Sequence, residues 1–151
     1  MILVYMALAA GIFLLDLVLK NYIEARKEAG KEEKLAKGAL LIRKYHNRGA
    51  FLNAGEKVNP LVRVLSLVLT VGVALLFLVS PGKNRRRMFG LSLLLGGACS
   101  NTYDRMKRGY VVDYFSFGVR WKWLRRIVFN ISDFCILAGA LLAIAEAENG
   151  Q

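Results

Sequence analysis

Four aspartates of this 151-residue chain, Asp16, Asp104, Asp113 and Asp133, stand inside or beside stretches that are otherwise apolar. A carboxylate at mid-helix in a membrane costs about 2.5–3.5 kcal/mol, so an ionisable group there marks a functional candidate. Their neighbours give the pattern. Asp16 and Lys20 are four apart, acid before base, the favourable order for an ion pair on one helix face. Asn101 and Arg105 are also four apart, with Asp104 three beyond Asn101, so a helix there presents an amide, a carboxylate and a guanidinium together. Asn130 and Asp133 are three apart and share a face. Asp113 sits in VVDYF, an extended apolar run whose valines and aromatics hold it down. Two carboxylates in a poorly hydrated pocket do not both ionise easily. One keeps its proton while the other acts as base, and such a pair can activate a water and protonate a leaving amine without metal or covalent nucleophile. Asp113 with Asp133 is the candidate pair. The competing reading of any one of these charges is an interfacial group that caps a helix or snorkels to water.

These side chains need elements to hold them. Hydrophobic residues make up 56% of the chain and mean hydropathy is +0.39. They concentrate in four stretches, 1–19, 61–80, 88–105 and 127–145, each near the length of about 20 residues that crosses a bilayer. The expectation is an all-α membrane protein, one domain over 1–151 built as a four-transmembrane-helix bundle. The first stretch has no basic residues before it, exceeds a leader's apolar region and ends on Asp16 and Lys20, so it reads as a retained span. Spans three and four are antiparallel, which brings Asn101, Arg105, Asn130 and Asp133 to one membrane face. Between spans one and two, EARKEAGKEEKLAK reads as a solvated helix end or loop. ALLIRKYHNRGAF, with Gly38, Gly49 and Gly55 around it, reads as a short sheet at the membrane face. Between spans three and four, YVVDYFSFGV is β-branched and aromatic, and RWKWLRR is an interfacial mixture of Trp and cations.

Other chemistries find little support. Cys99 and Cys135 fall inside spans with no CxxC or CxxH spacing, and the single His46 has no partners for a zinc site or a Ser/His/Asp triad. No metal or cofactor is expected. The net charge of +11 accompanies no nucleic-acid motif and is assigned to membrane lipid headgroups; nothing indicates an oligomer. Orientation is contradictory. The turn 81–87 carries four cations and argues for a cytoplasmic position, yet the loops opposite carry nine Lys/Arg in 21–60 and seven in 104–126. Charge alone leans towards both termini outside.

In order and spacing, five stretches resemble signal peptidase II, the lipoprotein signal peptidase family of bacteria: DLVLK (16–20), NRGAF (47–51), GGACSNTYDR (96–105), VVDYF (111–115) and FNISD (129–133). The resemblance implies a four-helix enzyme of the bacterial cytoplasmic membrane, with both termini inside and an extracytoplasmic β-rich cradle beside an interfacial segment. It implies removal of signal peptides from diacylglyceryl-modified prolipoproteins, cut just before the lipidated cysteine, at a site near the extracytoplasmic face. Carried across by position, Asp113 and Asp133 are catalytic. Asn47, Asn101, Arg105 and Asn130 line or support the site, and Asp16, Lys20 and Asp104 hold its geometry. The chain departs from the family pattern at Ser100, where Gly is usual, at Ser132, where Ala is usual, and at Phe51, Leu52 and Asn53 after NRGA. Competing functions are a small proton-coupled carrier, since intramembrane carboxylates also relay protons, and a family member that binds lipoproteins without cutting them. Clustering of the carboxylates at one face and the lack of an internal repeat weigh against the carrier.

Overall fold

The computed structural model describes residues 1–49, 60–80 and 84–148. Ala50, Phe51, Leu52, Asn53 and Gly55, singled out in the sequence, lie outside the described residues, as do 81–83 of the basic turn and the last residues of the tail. Helix α1 runs Ile2–Arg26, α2 Pro60–Val79, α3 Arg85–Lys107, the short α4 Lys122–Arg126 and α5 Ile131–Glu148. Strands β1 (Glu32–Leu35), β2 (Leu40–Asn47) and β3 (Val111–Phe117) form one antiparallel sheet in the order β1-β2-β3.

Two helices, α1 and α2, are long and apolar enough to cross a membrane, while the apolar part of α5 covers 131–145. Their large side chains point outward: Leu3, Val4 and Val18 on α1, and Val68, Leu69 and Val79 on α2 are mostly exposed. Helix α3 is different in kind. It opens on Arg85, Arg86 and Arg87, capped by the Asn84 side chain accepting their N–H groups at 2.9 Å from Arg86 and 3.2 Å from Arg87. It ends on buried Ser100, Asn101, Thr102 and Asp104. α1, α2 and α5 all pack against it. It can carry that polar load because neighbouring protein covers it.

The apolar stretch at 127–145 is not helical throughout. Phe129 instead pairs with β3: its N–H donates to the Phe115 carbonyl at 2.7 Å, and its own carbonyl accepts from Tyr114 and Phe115 at 2.9 and 3.0 Å. Residues 127–130 are thus held extended against the sheet, and α5 starts only after them. A second difference lies in the charged loop, where EEKL forms the edge strand β1, exposed along its whole length. Its acidic and basic side chains masked a strand from a reading based on apolar alternation.

Two glycines determine how these parts meet. A Cβ on Gly97 would fall 2.6 Å from the Ser132 carbonyl oxygen, so only glycine lets the first turn of α5 lie this close to α3. Gly109, at φ +83°, takes a left-handed turn after α3 with its N–H on the Asp104 carbonyl at 3.2 Å, and sends the chain directly into β3. Replacing Gly97 by Ala must therefore move α5, at a cost of about 1–3 kcal/mol for overpacking. Gly72, on α2, has open space around it, and Gly72→Ala should gain a little helix propensity. Thermal unfolding in detergent should show Gly97→Ala melting several degrees lower and Gly72→Ala melting no lower than the parent.

Candidate active site

The sheet and the start of α5 bring Asp113 and Asp133 onto one shared residue. Asn130 precedes α5 and caps it reciprocally. Its Oδ1 accepts the Asp133 N–H at 3.0 Å, and its own N–H donates to Asp133 Oδ2 at 3.0 Å. This is a capping box with Asp as the returning acid. The remaining half of the Asn130 side chain, Nδ2, donates to Asp113 Oδ1 at 2.7 Å. One residue therefore binds the strand carboxylate through its side chain and the helix carboxylate through its backbone N–H.

Two further asparagines complete the donors. Asn47, the last residue of β2, donates Nδ2 to Asp113 Oδ2 at 3.0 Å while its Oδ1 accepts the Gly49 N–H at 3.1 Å. Asn101 on α3 donates Nδ2 to Asp133 Oδ1 at 3.0 Å while its Oδ1 accepts from Lys20 Nζ at 2.8 Å. In all three asparagines an obligate donor, either a backbone N–H or an ammonium, occupies the oxygen. The nitrogen can then only face a carboxylate, which settles the amide orientation on chemical grounds.

Behind the pair lies a buried ionic layer. Lys20 is fully buried, with Nζ 2.8 Å from Asp16 Oδ2, 2.9 Å from Ser100 Oγ and 2.8 Å from Asn101 Oδ1; Asp104 Oδ2 stands at 3.4 Å. Its three N–H groups are all used. Asp16 accepts the Tyr114 hydroxyl on Oδ1 at 2.8 Å and the Ser100 hydroxyl on Oδ2 at 2.7 Å, and Oδ2 also takes the Ser132 hydroxyl. Asp104 accepts the Val112 N–H at 3.0 Å and pairs with Arg108 Nε at 2.8 Å, which ties the end of α3 to the strand carrying Asp113. Arg105 feels the charges of Asp113, Asp133 and Asp104 together and lies 3.5 Å from the Asn101 carbonyl.

Every residue expected from the sequence to take part thus meets at this corner: Asp16, Lys20, Asn47, Asn101, Asp104, Arg105, Asp113, Asn130 and Asp133. Tyr114 and Arg108 were not singled out in advance, although each carries a sequence clue. A tyrosine in a buried strand needs a partner for its hydroxyl, and Arg108 stands four residues after Asp104 on one helix. Ser100 and Ser132, two of the departures from the family pattern, bind the Asp16 carboxylate. An aromatic wall flanks the pair. Phe115 and Phe117 share the Asp113 face of β3, and the Phe134 ring stacks on Phe115 at 5.5 Å between centroids.

Burial first, and then the negative charge of Asp133, push the Asp113 carboxyl up to about 7, against the lowering pull of the Asn47 and Asn130 amides. Burial and the Asp16 charge likewise push the Tyr114 phenol up, so it stays a donor. The folded chain therefore keeps on Asp113 a proton that the unfolded chain releases near 3.8. The associated stability is complete below about pH 4 and is lost as pH rises through about 7. Asp113→Asn is neutral at every pH, so its melting temperature should fall less between about pH 5 and about pH 8 than that of the parent. Parallel melting curves across that range would show that Asp113 is already ionised in the folded protein.

Comparison with known proteins gives the family and the fold. The family model described as signal peptidase (SPase) II matches residues 8–147. The chain is 29% identical over 140 residues to a lipoprotein signal peptidase of Lactobacillus johnsonii, covering 91% of this chain and 87% of that protein. It is 29% identical over 146 residues to one of Francisella tularensis subsp. novicida, covering 93% and 89%. A match to the Serratia marcescens lipoprotein signal peptidase is 36% identical over 88 residues, 58% of this chain and 50% of that protein. Two solved bacterial membrane enzymes share the fold at 22% identity: one has a TM-score of 0.84 over 97% of this chain and 88% of its own, the other 0.80 over 95% and 92%. With nearly the whole sequence matched by that family model, the chain belongs to the signal peptidase II family.

Proposed function

We propose that this protein removes signal peptides from prolipoproteins by aspartyl catalysis, with Asp113 and Asp133 sharing the work on one water. The observation that carries this reading is Asn130, which holds the Asp113 carboxylate with its side-chain nitrogen and the Asp133 carboxylate with its backbone N–H. Charge balance adds to it. Lys20, Arg105 and Arg108 supply three positive charges to four carboxylates, Asp16, Asp104, Asp113 and Asp133. Neutrality leaves one proton for the group, and Asp113, held up near 7, is its natural holder.

Chemistry follows from that asymmetry. Ionised Asp133 takes a proton from a water as its oxygen adds to the scissile carbonyl carbon, and Asp113 gives its proton to the carbonyl oxygen. The resulting gem-diol collapses: Asp133 passes its proton to the leaving nitrogen, the C–N bond breaks, and a diol proton returns to Asp113. Arg105 steadies the negative charge of the pair, and the aromatic wall keeps bulk water from it.

In this reading α1, α2, α3 and α5 all span the bacterial cytoplasmic membrane, both termini and the basic turn 81–87 are cytoplasmic, and the sheet lies at the outer face. Leu137, Leu141 and Ile144 support a spanning α5, since they make an exposed apolar stripe at helical spacing. The substrate is then a diacylglyceryl-modified precursor held at the membrane surface, where Trp121 and Trp123 are exposed beside cations.

Cleavage assays on the purified protein test the reading. Asp113→Asn, Asp133→Asn and the double variant should all fall to about the same residual rate, since residues acting as one unit are non-additive. Each loss should be at least about 10²-fold, the lower end for general acid–base catalysis. A lipidated precursor should be cut far faster than an unmodified one. Equal rates would remove the lipoprotein preference, and a single Asn variant with near-normal rate would remove the dyad.

A further inference from the structure

We infer that the hydroxyls of Tyr114, Ser132 and Ser100 are positioning groups for cleavage, acting through Asp16. This rests on the dyad reading above. Each of the three stands next in sequence to a site residue: Tyr114 beside Asp113, Ser132 beside Asp133, and Ser100 beside Asn101. All three donate to the same buried carboxylate. Lys20, one turn after Asp16 on α1, donates to that carboxylate and also grips Asn101 itself.

Adjacent residues on a strand point to opposite faces, and on a helix they point about 100° apart. A hydroxyl beside a catalytic residue therefore acts from behind. It fixes the backbone that carries the working side chain without meeting the substrate. Tyr114 does this twice, because its oxygen also accepts the N–H of Ile131, the first residue of α5, at 3.0 Å. One phenol thus ties the strand of Asp113, the helix of Asp133 and the carboxylate on α1. Val112 and Tyr114 occupy the β3 face that packs on Leu19 and Ile23 of α1, whereas Asp113 faces the opposite way. The contact that sets the height of the strand over α1 is consequently separate from the contacts that hold the Asp113 carboxylate.

The donors to Asp16 are unequally spread over its two oxygens. A carboxylate offers about four lone-pair sites, and four donors reach it: Lys20, Ser100 and Ser132 on Oδ2 and Tyr114 on Oδ1. Removing the Tyr114 hydroxyl leaves buried Oδ1 without its donor, and removing a serine hydroxyl unties that residue's backbone from Oδ2, so the remaining groups shift. The outcome at the site is a small change in the separation of the two aspartates. Reaction rates are steep in such a change, with about 10²-fold attached to a misplacement near 1 Å.

The test uses Tyr114→Phe, Ser132→Ala and Ser100→Ala in the full-length protein, with Ser116→Ala as control. Ser116 lies on the same strand, is fully buried, and its hydroxyl has no hydrogen-bond partner among the described residues. For Tyr114→Phe and Ser132→Ala, kcat on a lipidated peptide should fall about tenfold while KM stays within about twofold, a loss specific to the transition state. Their pH profiles should also shift, since the two aspartates titrate as a pair whose apparent values depend on their separation. Ser116→Ala should keep kcat, KM and profile. Should Tyr114→Phe fail to fold, the two serine variants, each removing one oxygen atom, carry the test. Unchanged kcat and profile in the hydroxyl variants, or losses matched by Ser116→Ala, would overturn the inference. Asp113→Asn and Asp133→Asn, run alongside, separate the two readings: their retained activity would sink the dyad, whereas their inactivity with fully active hydroxyl variants would sink only the positioning role.

Discussion

The buried ammonium of Lys20 is the interaction on which the corner depends. An isolated cation in this environment would be too costly to keep, and it is tolerated because every one of its N–H groups has an acceptor and two carboxylates share its charge. In return it decides the orientation of Asn101. An ammonium cannot accept, so the amide oxygen must turn towards it and the amide nitrogen towards Asp133. A charge on α1 thereby determines what a carboxylate on α5 receives, with α3 as the intermediary.

The same logic repeats at Asn47 and Asn130, where backbone N–H groups take the place of the ammonium. Three amides with no freedom to flip present only nitrogen to the two aspartates. Asymmetry between the carboxylates comes from their settings. Asp113 is held by side-chain amides in the middle of a buried strand, and Asp133 by one amide and one backbone N–H in the first turn of a helix. A pair that must differ in protonation is helped by such unequal surroundings.

Helical spacing in the sequence located Asp16 with Lys20, Asn101 with Arg105 and Asn130 with Asp133, because i,i+3 and i,i+4 neighbours necessarily share a face. A partly alternating run between glycines marked β2, and β-branched and aromatic residues marked β3. The start of α5 was less legible, since an apolar run does not say where extended backbone becomes helix; the pairing of Phe129 with Phe115 decides that, and it is a tertiary fact. β1 escaped notice because an exposed edge strand needs no apolar face. The hydroxyls of Ser100 and Ser132 looked like mere small residues, since nothing local shows that a carboxylate eighty-four or one hundred and sixteen positions earlier lies opposite them. Asn101 and Asn130 were visible in type and spacing, and Asn47 only through the family resemblance. The hydroxyls that tie the backbone to Asp16 were not visible at all.

The exposed strand β1 has a consequence for how copies of the protein live side by side. A sheet edge offers a row of unpaired backbone groups, and in a membrane plane neighbouring molecules meet repeatedly at the same height. Glu32, Glu33 and Lys34 line that edge, and Glu32 is drawn across to Arg43 on β2 at 2.7 Å. For two such edges to join, charged side chains would have to lose water and partner together. The charged rim thus opposes pairing of one such sheet edge onto another.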